Sequence, residues 1–205
     1  MAEYVRGAPG EEPADEGLTL IELLIYMVLA VVVLFIVGGL LITSLTSEQK
    51  VRDSTQASNV GQLVAQSVGQ GVRNATAMKV IDLGGGSQLL MVRTASVTTS
   101  QAWVCEAWYF GGGEVRTIRT SPASAIPTSP ANIATWTLLG TGIKSVSGGA
   151  VVTPLPITAP LITEPRSIQL TFDVTTGTGK PVRINTAATS LQPKLSSGVN
   201  SSPCF

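Results

Sequence analysis

The hydrophobic pattern divides the chain into three parts. Between Leu23 and Ile42 twenty consecutive residues, LLIYMVLAVVVLFIVGGLLI, carry no charge. At the helical rise this run is about 30 Å long, the thickness of a bilayer's hydrocarbon core. A buried helix of a soluble protein is usually shorter and polar along one stripe. The run therefore predicts a membrane-spanning helix. From Leu45 to Ala77 there is no proline, and Val60, Leu63, Val64, Val68, Val72 and Ala75 recur at spacings of three and four. That stripe predicts an amphipathic helix able to lie on a sheet. Together the two patterns predict one helix from Leu18 to about Ala77, roughly 90 Å long. Its weakest point is Gly38-Gly39, each glycine costing about 1 kcal/mol relative to alanine.

After Ala77 the pattern becomes short strands and turns. Lys79–Leu83 and Gln88–Ser96 flank Gly84-Gly85-Gly86, and Gln101–Phe110 and Glu114–Thr120 flank Gly111-Gly112-Gly113; both read as hairpins. Ile168–Val174 and Pro181–Thr186 flank a third turn. Ser121–Ile133 reads as a loop, and Trp136–Ser147 as a strand or short helix. Val151–Pro165 contains four prolines, which excludes a central strand. None of the glycine-rich turns opens a helix, so phosphate-loop chemistry is excluded.

Composition narrows the chemistry. The 205 residues include no histidine, which removes the commonest general base and metal ligand, and only two cysteines, too few for a Cys-rich zinc site. Charged residues are 13% of the chain and the formal net charge is zero. Residues 1–17 hold five acids against Arg6; from residue 18 onward twelve bases face eight acids, scattered without a run. No catalytic motif joins any two acids of the polar part, so no enzyme, cofactor or metal site is expected. DNA contact is allowed by the mild positive excess, but no basic cluster or stacking platform supports it.

The apolar run is not an ordinary secretory signal: it is too long, lacks a small-x-small site after it and follows an acidic stretch. Directly before it stands Gly17-Leu18-Thr19-Leu20-Ile21-Glu22-Leu23. This resembles, nearly residue for residue, the prepilin signal of the type IV pilin and pseudopilin family. A carboxylate at the edge of an apolar span costs a few kcal/mol and is rarely there without a partner. Asp15 and Glu16 stand where the family usually has Lys or Arg. Lys50 and Arg52 follow the span, so the orientation comes from the resemblance and not from the positive-inside rule.

The resemblance implies an α+β, pilin-like fold: a long N-terminal helix packed on a C-terminal antiparallel sheet. Residues 1–17 would be a cytoplasmic leader, 18–45 the transmembrane and assembly half of the helix, 46–77 its amphipathic half, and 78–205 an extracytoplasmic β-rich domain. A prepilin peptidase would cut between Gly17 and Leu18, and Glu22 would pair with the α-amine of a neighbouring subunit's Leu18. Gly38-Gly39 would either loosen the helix within a filament or permit close helix packing. Family members often tie the C-terminal segment to the sheet by a disulfide, here Cys105 to Cys204. Gly71-Val72-Arg73-Asn74-Ala75, the aromatic stretch Trp103–Phe110 and Trp136–Leu139 resemble W-type minor pilins or J-type pseudopilins. The implied function is a structural, minor filament subunit, with a major pilin or an adhesive or DNA-binding pilin as alternatives. Its partners would be the peptidase, membrane lipid before assembly, other pilin subunits and the assembly platform.

Overall fold

A computed structural model describes residues 19–95, 103–121, 123–155, 165–177, 179–193 and 204–205. It divides into two units, residues 1–47 and 48–205, and one helix, α1 (Leu20–Asn74), contributes to both. In the first unit every large apolar side chain of the helix from Leu20 to Leu45 is about half exposed or more. A helix this apolar, with none of the described residues packed on this part of it, is long enough to cross a membrane by length and composition.

In the second unit α1 continues as an amphipathic helix. Ala57, Val64, Val68 and Val72 are buried, while Leu63, on the predicted stripe, is 50% exposed at the stripe's border. The helix ends at Asn74, three residues before the predicted end, because Ala75 and Ala77 belong to the first strand. No glycine or proline marks this stop. The chain passes from helix to strand without a turn, and the pairing of Ala75 and Ala77 with Thr94 and Arg93 sets the boundary.

The first sheet is antiparallel, with order β1 (Ala75–Gly84), β2 (Ser87–Ala95), β3 (Trp103–Gly111), β4 (Glu114–Thr120) and β5 (Thr137–Thr141). Its two predicted hairpins are present, each closed by a two-glycine turn: Gly85-Gly86 at φ 60° and 78°, Gly112-Gly113 at φ 61° and 80°. Two successive positive φ values are what such turns require, and only glycine adopts both without strain. A four-residue helix, α2 (Pro130–Ile133), lies within the stretch expected to be loop; it is capped by Ser129, whose Oγ accepts from the Asn132 amide.

The second sheet is built around β8 (Ser167–Val174). β9 (Val182–Thr189) pairs along all of one side, the third expected hairpin. The other side is shared end to end by β6 (Ile143–Ser145) and β7 (Val152–Pro154). The Pro-rich stretch thus supplies an edge strand. The outward edge of β7 is met by a side chain: Gln88 Nε2 donates to the Val152 carbonyl at 3.2 Å and the Val152 amide donates to Gln88 Oε1 at 2.9 Å. This buried amide pairing ties the two sheets together.

Two cores result. In the larger, Val64, Val68 and Val72 of α1 pack with Leu90, Val92, Trp108 and Phe110 of the first sheet and Leu170 and Phe172 of the second. On the far face of the first sheet, Leu89, Met91, Cys105 and Ala107 pack with Ile126, Ile133, Trp136 and Cys204. β2 is covered on both faces, which explains its unbroken buried run from Gln88 to Thr94. The aromatics of β3 divide accordingly. Trp108 faces the helix. Trp103, on the opposite face, lies under the Arg93 guanidinium at 4.6 Å.

Candidate functional site

The sequence places functional residues at three points of the chain. At the first, Gly17 and Leu18 lie outside the described residues, whereas Glu22 stands in the opening turn of α1. The Thr19 carbonyl accepts from the amides of Glu22 and Leu23 at 3.0 and 3.2 Å, which starts the helix there. A carboxylate in this turn is favoured by the positive end of the helix dipole. Its side chain is partly exposed, and the Tyr26 hydroxyl donates to Glu22 Oε1 at 3.2 Å. The i, i+4 spacing of this pair is legible in the sequence.

At the second, Gly38 and Gly39 continue the α-helix without a break, and a Cβ added at either would meet no atom of the described residues within 4 Å. The Thr43 hydroxyl donates to the Gly39 carbonyl at 2.9 Å, and the Thr46 hydroxyl to the Thr43 carbonyl at 3.0 Å. Such back-bonding is of the kind that bends helices slightly, although α1 runs through this stretch as a continuous helix.

At the third, Cys105 and Cys204 form a disulfide across 99 positions of sequence. Both are almost fully buried in the smaller core. The Cys204 carbonyl also accepts from the Ile126 amide at 3.4 Å, and Phe205 packs partly against the same cluster.

Beside α1 the second unit also has an open cleft of about 690 Å³, lined by Leu63, Gln66, Gln70, Asn74, Glu106 and Arg119 among others. Glu106 and Arg119 are directly opposed on β3 and β4. Burial pushes the Glu106 carboxyl above its ordinary value of 4.5, against the opposing pull of Arg119. A raised folded-state value means the fold favours the protonated acid, so stability from this group is full at low pH and lost as pH rises. Glu106→Gln is therefore expected to raise the melting temperature near pH 7 and to change little near pH 4. Thermal denaturation at the two pH values checks this; equal effects at both would contradict it. The gain should stay within about 1 kcal/mol, because the side chain is partly exposed.

Among the described residues no three or more of His, Cys, Asp and Glu are grouped as a metal site. The cleft brings one acid and one base together among amides, with Ser67 and Thr94 also in its lining. What the geometry does provide is an exposed apolar helical segment, residues 20–45, bearing the single carboxylate of Glu22, and a folded unit fastened by a disulfide. No protein-family model, curated protein or solved structure matches the chain.

Proposed function

We propose that this chain is a membrane-anchored subunit, of the minor class, of a type IV pilus-like or type II secretion-like filament. The observation that carries the proposal is Glu22 at the head of an apolar, exposed helical segment, with Thr19-Leu20-Ile21 before it. A single carboxylate there is costly in lipid and gains a purpose when a cationic group of a second subunit meets it. In this reading the peptidase frees the α-amine of Leu18, and that amine is the cation. The helix first resides in the inner membrane and then passes into a filament, packed against the helices of other subunits. The long α1 with an antiparallel sheet on its second half supports a pilin-like fold. The disulfide supports an oxidising, extracytoplasmic place for the second unit.

The test combines intact mass with sheared-filament recovery in cells that contain the peptidase. The mature chain should begin at Leu18, having lost 17 residues, which is the length of the segment up to Gly17. Glu22→Ala should keep its level in the membrane and fall about tenfold or more in the filament fraction, as expected for losing one partner of a desolvated ion pair. A chain that keeps Met1 as its only form, or Glu22→Ala recovered in filaments at the wild-type level, would refute the reading.

A further inference from the structure

The Glu22 carboxylate has two oxygens, and the structure occupies one of them from within the same helix. Tyr26 lies four residues on, the position that faces Glu22 across one helical turn. Its hydroxyl donates to Oε1 at 3.2 Å. Between Leu23 and Ile42 Tyr26 is the one residue whose side chain can donate a hydrogen bond; all others are aliphatic, Phe, Met or Gly. In a bilayer, where no water reaches the hydrocarbon, a carboxylate draws on donors supplied by protein. The sequence places the apolar run's one side-chain donor at the spacing that reaches this acid.

We propose that Tyr26 is a positioning residue for Glu22: it holds Oε1 and thereby presents Oε2 to the cation of a neighbouring subunit. The inference rests on the filament reading for the identity of that cation, and adds a residue to it. Two consequences follow from the chemistry. Before assembly, the phenol and the helix N-terminus together satisfy part of the carboxylate, so a lone subunit can keep the acid in the membrane. During assembly the phenol need not leave, because an ammonium and a phenol can bind different oxygens of one carboxylate. The Tyr26 ring then covers one side of the ion pair and lowers the dielectric around it, which strengthens the pairing.

The experiment uses the full-length mature protein in phosphatidylethanolamine–phosphatidylglycerol vesicles, with Tyr26→Phe, Glu22→Ala and the double variant. Phenylalanine keeps the ring and removes only the donor. Ultraviolet resonance Raman of the tyrosine doublet reports whether a phenol donates, and subtracting the Tyr26→Phe spectrum isolates Tyr26. The wild-type difference spectrum should show a donating phenol, and the Glu22→Ala background should lose that signature. In filaments sheared from cells that co-express wild-type chain, Tyr26→Phe should be incorporated about three- to fivefold less, the factor one such hydrogen bond contributes. In the Glu22→Ala background it should cause no further loss.

A donating signature unchanged by Glu22→Ala would overturn the proposal and leave the filament reading standing. Wild-type incorporation of Tyr26→Phe would overturn the positioning role even with the contact present. Wild-type chain absent from filaments, with the Raman contact intact, would instead defeat the filament reading and the presentation of Oε2 with it.

Discussion

Gly71→Ala is expected to destabilise the folded unit by about 2 kcal/mol or more, although alanine is the better helix former. A Cβ at this position would lie 2.1 Å from Cη2 of Trp108 and 2.9 Å from Cζ2. Neither side can yield easily. Trp108 is fully buried, and its Nε1 donates to Ser67 Oγ, one turn earlier on the same helix, at 2.9 Å. To escape, the ring must break that bond or α1 must lift from the sheet and open the larger core. Overpacking of this kind costs about 1–3 kcal/mol and sometimes more, against a helix-propensity gain near ~1 kcal/mol. The clash wins because the methyl would overlap atoms of an enclosed ring. Gly69 is the control: its Cβ would meet only Arg73 Nη2, at 3.6 Å. Gly69→Ala should therefore be neutral or slightly stabilising. Urea denaturation of the full chain in detergent, followed by tryptophan fluorescence, compares the two. Equal stabilities for Gly69→Ala and Gly71→Ala would mean that Trp108 does not fix this contact.

The same glycine shows what the sequence can and cannot disclose. The stripe Val64, Val68, Val72 was legible because one helix face packs on one sheet, and period is a local property. That Gly71 must lack a side chain was not, because its partner stands 37 positions later, on a strand whose register no local pattern fixes. The three hairpins were visible through their turn residues, and the double glycines at 85–86 and 112–113 serve the backbone requirement that betrayed them. The division into two sheets was not visible. It depends on β6 and β7 sharing one side of β8, and on a glutamine side chain, Gln88, meeting the edge of Val152. The helix end was misplaced for the same reason. Asn74-Ala75-Thr76-Ala77 carries no stop signal, and strand pairing alone takes Ala75 out of the helix. At the apolar end of α1, Glu22 was conspicuous as the acid directly beside an apolar run. Its contact with Tyr26 follows from the helical period once both residues are weighed as donor and acceptor.

Loss of the disulfide should have the other large effect. Cys204→Ser is expected to lower stability by about 2–4 kcal/mol, below the ideal of about 4.7 for closing a loop of this length, since residual structure reduces the entropic gain. The link spans 99 positions, and the Ile126–Cys204 backbone bond and the partial packing of Phe205 also help to hold the end of the chain. Both half-cystines sit in the smaller core with Leu89, Met91, Ala107, Ile126, Ile133 and Trp136. Releasing residue 204 therefore opens one wall of that core as well as removing the cross-link. The two contributions arise from one event, so Cys105→Ser and the double substitution should cost nearly the same as Cys204→Ser. Because the smaller core lies on the far face of the first sheet from α1, the loss should leave the helix-side core folded. Trp136 should then become quenchable by acrylamide while Trp108 stays protected. Peptide mapping without reductant should recover residues 105 and 204 in one linked fragment of the native protein. Two freely alkylated thiols in folded protein from an oxidising compartment would remove the basis for this prediction. An additive cost for the two single substitutions would show that the cysteines act separately, each through its own packing.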